Sequence, residues 1–530
     1  MKTSYDYLFI GSGHNALIAA AYLVKAGHSV LLLEKNDRAG GLVRTEELTL
    51  PGFIHDTYSA AHPLFTTSAA FAELGEELGK RGLHYLNTDL PTGVSMPDGT
   101  TAVFSRSPEA LIAEAERLHP GDGTVLGDLL NTFTPYAGPV FSLFGQSMAS
   151  PEAKQTLATL LSDPAFSYFA FGTARQVVSP FRSEAMKAML APWVMHLGRT
   201  PDEIGSGVWV PLVMLALMGG GMAVPKGGSE MLAKSLATLV TDYGGAIQCD
   251  TLVDQILVKN GKAVGIRATN GEQWEAKKGV IASVNPDQLY LKLLSETPVD
   301  GVLTKQASRY RYGRGCVQIS LALSEPPCWR DERFNRIGQP HLSSGLDNCA
   351  LATAQAMAGL LPTDPTFTVD CASNLDPTRA PEGKAVMRVQ VLEVPCQPKG
   401  DAAGKLKPGK GLWNEMLKEK FADRILSIVE KHVPNVKSAL LARHIISPAE
   451  LAKFSPNLGP GDPYGGAHDL GQSYVYRPLP GQPSHQTAIP NVYMLGAATW
   501  TGHGVNGGSG YIVAKELLKQ QPVPAEPEFA

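Results

Sequence analysis

A large excess of charge of either sign is missing from this chain. Lys and Arg number 46 against 50 Asp and Glu, a net charge of −4 over 530 residues. With no basic stripe, nucleic acid is excluded as a partner class. Cysteine is sparse: six residues, at 249, 316, 328, 349, 371 and 396, with no CxxC pair. That spacing offers neither a disulfide framework nor a zinc site, and suits reduced thiols in the cytoplasm. Long apolar runs are also missing. The longest candidate, Val208 to Met218, contains Pro211, is too short to span a bilayer and stops at Gly219-Gly220-Gly221. It reads as a buried helix, with a lipophilic tunnel wall or a peripheral membrane contact as the alternative. The chain reaches its first strand almost at once, which leaves no length for a signal peptide. HExxH, GxSxG and Walker motifs are absent, as is any paired-histidine metal spacing, so no resident metal is expected.

What is present begins at Tyr5. The apolar run Tyr7-Leu8-Phe9-Ile10 breaks at Gly11-Ser12-Gly13-His14-Asn15-Ala16. An Ala-rich helical stretch follows to Ala26, and then Ser29-Val30-Leu31-Leu32-Leu33 ends on Glu34. Strand, glycine turn, helix, strand and acid make a βαβ unit for an adenine dinucleotide. Gly11 permits the tight turn, Gly13 lets backbone approach a diphosphate, and Ala16 takes the place of a third small residue. N–H groups of His14, Asn15 and Ala16 then face the phosphates at the positive end of the helix dipole. Glu34, eighteen residues beyond Ala16, is placed to accept ribose hydroxyls, with Lys35 beside it.

Next comes Arg38-Ala39-Gly40-Gly41-Leu42-Val43-Arg44, and here the sequence resembles the flavin-dependent amine oxidase and phytoene desaturase superfamily. In that family a glycine doublet and a following Arg lie by the FAD diphosphate, which implies such roles for Gly40, Gly41 and Arg44. Near the other end, Asn491 to Ala498 reads as a strand finishing in Gly496 and Ala497. A loop follows, Thr499-Trp500-Thr501-Gly502-His503-Gly504-Val505-Asn506-Gly507-Gly508-Ser509-Gly510, and then a helix. The phytoene desaturase-like branch, which includes pyridine nucleotide-disulfide oxidoreductase domain 2-like members, has this form. There the helix start lies under the flavin ring, which implies cofactor contacts for Gly504, Val505 and Asn506. A plain NAD enzyme does not need this returning segment, so FAD is the expected cofactor. It is expected to be held without a covalent bond, since no His or Cys stands in a defensible linking position. Residues 225–290 also resemble the family, with Val253 at the position whose backbone holds adenine.

The expected fold class is α/β. A Rossmann-type, GR2-like FAD-binding domain is assembled from the discontinuous segments 1–63, 225–290 and 488–520. An α+β substrate domain with a mixed sheet and a helical cap takes 64–224 and 291–487, and 521–530 is a flexible tail. The cap is expected to be mainly helical, with helices at 69–81, 108–117, 151–161 and 183–196. Phe166, Tyr168, Phe169, Phe171, Phe181 and Trp193 are candidate pocket residues. Strands are expected at 316–323 and 385–394. An amphipathic helix at 412–432 is expected to bury Trp413, Met416, Leu417, Phe421, Ile425 and Val429. A loop over 456–473 borders the active site in related enzymes.

With flavin as redox agent, the protein has to place a substrate C–H bond, exclude water and tune the ring. Two histidines are candidate catalytic groups: His503 in the glycine loop and His62 in the segment Gly52 to Pro63. The resemblance implies an FAD-dependent dehydrogenase or oxidase. The expected reaction desaturates a C–C bond of an apolar or carbocyclic substrate and passes electrons to O2 or a quinone. Alternatives are amine oxidation, although the loop offers only Trp500 towards an aromatic pair, and redox-neutral isomerisation on reduced flavin. A non-catalytic flavoprotein scaffold comes from a different class. The redox-active Cys pair of disulfide oxidoreductases is absent.

Overall fold

The computed structural model describes residues 3–519, so the tail expected at 521–530 lies outside the described residues. β1 (Ser4–Ile10), α1 (His14–Lys25) and β2 (Val30–Leu33) form the βαβ unit. In a seven-stranded sheet, β1 runs parallel between β2 and the long strand Gln273–Ala282. The strand Ala246–Gln248 adds to the outer edge of β2. Leu8, Phe9, Leu31, Leu32, Val280 and Ile281 are buried, the apolar-run pattern of parallel strands covered on both faces. Gln273–Ala282 serves two partners on its far side. Its first half pairs antiparallel with Lys262–Ala268, and its last three residues pair parallel with Val492–Met494. The Asn260-Gly261 turn carries positive φ at both residues, +51° and +74°, which closes the hairpin to Val253–Lys259.

α1 packs against the helices Glu230–Asp242 and Gly508–Lys519. The second contact depends on Gly510: a Cβ there would lie 2.1 Å from the Asn15 carbonyl oxygen, so any larger residue pushes the final helix off the start of α1.

A second seven-stranded sheet is mixed. Its order is Leu440–Ile446, Gly315–Leu323, Ala385–Val394, Phe367–Asp370, His341–Leu342, Thr92–Ser95 and Thr101–Phe104. The stretch 64–224 is mainly helical, as expected, but the two last strands add to it a hairpin that the sequence reading does not contain. Thr92–Ser95 pairs parallel with His341–Leu342, a partner so distant in the chain that no local pattern reports it. Three expected helices lie at Ala69–Lys80, Pro108–Leu118 and Pro151–Ser162, each with a Ser hydroxyl accepting from a first-turn N–H. The helix expected over 183–196 ends at Leu190 and continues as the 3₁₀ turn Ala191–Leu197, with Pro192 in its first turn. Asp122–Leu143 is helical despite Pro135 and Pro139. In Glu415–Val429, Leu417, Phe421, Ile425 and Val429 are buried as expected, whereas Met416 is 66% exposed. The apolar stretch after Val208 is the buried helix Trp209–Gly220. Among the described residues no helix is long and apolar enough to cross a membrane.

Candidate functional site

A cleft of about 420 Å³ runs along the carboxyl ends of β1 and β2. Gly11, Gly13, His14, Asn15, Glu34, Lys35, Gly40, Gly41, Val253, Gly496 and Ala497 all line it. No side chain caps α1 at Gly13, so its first N–H groups stay free to meet a ligand. Gly40 closes over this turn with φ +122°, and a Cβ there would lie 2.7 Å from Ala233. Glu34 is buried. Its Oε2 accepts from Ser12 N and Oγ at 2.9 Å each, and its Oε1 from Asn36 N and Nδ2 at 3.0 Å each. These four donors fix the carboxylate at the cleft wall. The opposite wall, Phe454 to Leu458, is pinned to the nucleotide sheet by Asn457, which donates to Ser283 O at 2.7 Å. The bracing roles of Ser12 and Asn36 escape a reading of the sequence, because side chains that buttress a backbone cradle leave no fixed spacing, whereas Asn457 lies in the loop expected to border the site.

Three expected contacts stand elsewhere. Ala16 is buried in the body of α1, its small side chain admitting the neighbouring elements. Arg44 does not line the cleft. Its guanidinium pairs with Asp37 at 2.8 Å and Glu46 at 3.1 Å and lies over the Phe454 ring. Asn506 is occupied within its own loop. Its Oδ1 accepts from Thr501 Oγ1 and Gly508 N, and its Nδ2 donates to His503 O. Lys35 does line the cleft, but its ammonium donates to the carbonyls of Lys453 and Phe454.

The candidate base His62 is corrected by its surroundings. It is fully buried, with Nδ1 on the Tyr85 hydroxyl at 3.0 Å and Nε2 on Ser229 Oγ at 2.7 Å. Burial lowers it to about 3, and with both nitrogens occupied it ties its segment to the start of Glu230–Asp242. Its neighbour Asp56 forms a buried pair with Arg379 at 2.9 Å.

Beside the cleft lies a second chamber of about 150 Å³, where Gly504 and Val505 meet Ser59, Ala61, Leu64, Trp193, His196, Val213, Leu217, Met222 and Gln339. Its wall is mostly apolar. His14 stands at the junction: it lines the cleft, its Nε2 lies 3.1 Å from Asn15 Nδ2, it feels the Gly504 backbone, and it is lowered to about 4 by burial. Of the candidate pocket aromatics, Trp193 lines this chamber. Phe166, Phe169 and Phe181 are core, and Tyr168 and Phe171 are exposed.

His503 belongs to a set of four imidazoles of which His196 alone lines this chamber, while His503 and His468 line a small neighbouring pocket with Trp500 and Tyr474. The Nε2 of His503 bonds the His196 carbonyl, which can only accept, so Nε2 carries the proton and Nδ1 is bare. His468 Nε2 lies 3.2 Å from that Nδ1 and 3.2 Å from Tyr464 O, and donates to both. Burial lowers His503 to about 4 and His468 below the ordinary range, so both are neutral at pH 7. His503 therefore has no free proton site facing the chamber; it holds the 3₁₀ turn against the glycine loop. Across the turn, His196 Nε2 lies 3.0 Å from His341 Nε2.

A glycine-lined cleft walled by segments near both ends of the chain, beside an apolar chamber, belongs to a flavin-dependent oxidoreductase. The chain belongs to the flavin containing amine oxidoreductase family, whose model matches residues 17–518. It is 27% identical to a mouse (Mus musculus) protein, pyridine nucleotide-disulfide oxidoreductase domain-containing protein 2, across 98% of this chain and 94% of that one. The zeta-carotene-forming phytoene desaturase of Myxococcus xanthus is 26% identical over 94% of this chain and 90% of its own. One of the polypeptides of the limonene dehydrogenase of Castellaniella defragrans is 24% identical over 97% and 94%. Among solved structures, an oxidoreductase from Methanosarcina mazei superposes with a TM-score of 0.57 at 17% identity, covering 97% of this chain and all of that one, 100%. Putrescine oxidase bound to putrescine gives a TM-score of 0.59 at 14% identity, over 98% and 100%. At such identities the structural likeness shows the fold.

Proposed function

We propose that the protein binds FAD without a covalent bond and dehydrogenates a C–C bond in an apolar, ring-sized substrate. The observation that carries this reading is the chamber at Gly504–Val505, whose lining is apolar apart from Ser59, His196 and Gln339. A cavity of about 150 Å³ takes one benzene-sized group. No carboxylate among the described residues lines it to hold an ammonium, which favours C–C over C–N oxidation. The relatives named for phytoene and limonene support an apolar substrate.

The cleft fits the cofactor by its donor set and by the space its glycines leave. The uncapped start of α1, through Gly11, Gly13, His14 and Asn15, would hold the diphosphate, with Gly40 and Gly41 closing over it. Glu34 would take the ribose hydroxyls, the Val253 backbone the adenine, and Gly496–Ala497 the middle of the dinucleotide. Gly504 and Val505 would meet the reactive end. Bound FAD supplies a two-electron acceptor for hydride. The chain's own residues do the rest: Trp193, Leu64, Val213 and Leu217 exclude water, and His14 fixes the glycine loop against the start of α1.

Mixing the purified holoprotein anaerobically with limonene, phytoene in liposomes, or putrescine tests this. Bleaching of the visible flavin band by a hydrocarbon is the expected result, followed by reoxidation with O2 or a quinone. Bleaching by the amine alone overturns the C–C assignment. Absence of FAD after acid release and reconstitution overturns the whole reading.

A further inference from the structure

Among the described residues, His196 is the only titratable side chain lining the chamber. It is half-buried on the 3₁₀ turn Ala191–Leu197, stacked on Trp193 with ring centroids 4.7 Å apart. Its Nε2 is committed to His341 Nε2 at 3.0 Å. Its Nδ1 has no partner among the described residues and is not shut away from solvent, so it is the nitrogen the chamber can reach. His341, on His341–Leu342 of the second sheet, is fully buried, and its own Nδ1 has no partner among the described residues. An Nε2-to-Nε2 contact holds one proton. With that proton on His196, the chamber meets a bare Nδ1 lone pair backed by an acceptor.

We propose that His196 is the base that takes the substrate proton in the dehydrogenation, and that His341 is the positioning residue that sets its tautomer. This rests on the desaturation reading proposed above. In the step, one C–H bond breaks and its electron pair leaves as hydride for the oxidised flavin. The adjacent C–H bond then breaks, its pair becomes the new π bond, and its proton goes to His196 Nδ1. The substrate would lose two protons and two electrons in all, as a hydride to bound FAD acting as two-electron acceptor and a proton to the His196 imidazole. A carbon that has lost hydride makes its neighbouring C–H strongly acidic, so a weak base is enough.

The charged and titratable groups around His196 are His341, Arg388 from Ala385–Val394, and His503 from the glycine loop. Arg388 is itself paired with Asp370 at 2.7 Å. Burial first, then these neighbours, holds His196 well below the ordinary histidine range. The imidazole is therefore ready to accept throughout the neutral and mildly acid range.

Two measurements on the holoprotein test this. The first is NMR of ¹⁵N-histidine-labelled protein, with the His196 signal assigned by His196→Gln. A bare Nδ1 and protonated Nε2 are expected; a protonated Nδ1 in the resting protein overturns the assignment. The second is anaerobic stopped-flow bleaching by limonene. His196→Gln should keep its flavin and the limonene-induced shift of the flavin spectrum, yet bleach at least ~100-fold more slowly, within the usual reach of a general base. His341→Leu should lose about 10-fold and move the acid limb of the pH profile upward, whereas His341→Gln, which restores an acceptor near Nε2, should recover most of the rate. Equal bleaching by wild type and His196→Gln overturns the base while leaving the desaturation reading intact. A wild type that limonene does not bleach overturns the hydrocarbon reading, and the base with it.

Discussion

The glycine end of the cleft and the chamber beside it are made of different materials. The glycine end of the cleft is lined by backbone N–H groups, glycines and one braced carboxylate from β1, α1, β2 and their flanking turns, and the remaining walls come from Val253, Phe454 to Leu458 and Gly496–Ala497. The chamber is lined by side chains from distant places: Ser59 to Leu64, the turn at Trp193–Leu197, the helix at Val213–Leu217, Gln339 and the loop at Gly504. A backbone cradle has one solution and writes itself into sequence as glycines at fixed intervals. A side-chain chamber has many solutions, and that freedom is what lets one fold serve different substrates.

The difference predicts where single changes act. The largest effect belongs to the cradle. Gly40→Val demands φ +122° of a branched residue and drives its Cβ into Ala233. It should abolish flavin retention, read as flavin per protein after gel filtration, with a stability loss of about 3 kcal/mol. Glu34→Ala removes a buried acceptor and leaves the Ser12 and Asn36 donors unpaired. FAD affinity of the apoprotein should fall on the order of 100-fold by calorimetry, about 2–3 kcal/mol.

Acid should separate the regions further, because the neutral imidazoles gather beside the chamber. His341 is lowered to about 3 and His503 to about 4, both by burial, from an ordinary 6.5. The unfolded chain therefore binds these protons first as pH falls. Stability is full above about pH 7 and declines below about 6.5, down to the folded values. Between about pH 7 and pH 5 each such histidine costs about 2 kcal/mol, measurable as a shift in the urea midpoint. His341→Leu should flatten that slope. The smallest effect is expected at Arg44→Ala. Its guanidinium is spent on Asp37 and Glu46 outside the cleft, so FAD affinity should change by no more than about 3-fold. A larger loss would show that the arginine swings onto the diphosphate when FAD binds.

The nucleotide half of this protein is legible because its constraints are local. Gly11, Gly13, Glu34 and the Gly40–Gly41 doublet announce themselves within about forty residues, and the paired Asn-Gly turns fix the hairpins that follow. Val253, Gly496 and Ala497 are reached through resemblance, and all three line the cleft. The chamber is not legible. His62 and His503 stand out because of the segments they occupy, but each is fully engaged by its neighbours. His196 closes a stretch expected only as helix, with Trp193 as its pocket candidate, and matters because a 3₁₀ turn brings it against His341, a partner 145 residues away. The hairpin at 92–104 escapes for the same reason: its partner strand is remote.

The strand Gln273–Ala282 gives the molecule an order of assembly. Its first half closes a hairpin as soon as it is made, but its last three residues wait for Val492–Met494. A chain still on the ribosome at residue 490 has the floor of the cleft and lacks the Gly496–Ala497 wall, the loop that reaches His14 and the helix that packs on α1. The cleft thereby closes only when the segment 491–519 has joined the sheet and packed on α1. A product that stopped before residue 491 would have the glycine turn and the carboxylate without the Gly496–Ala497 wall.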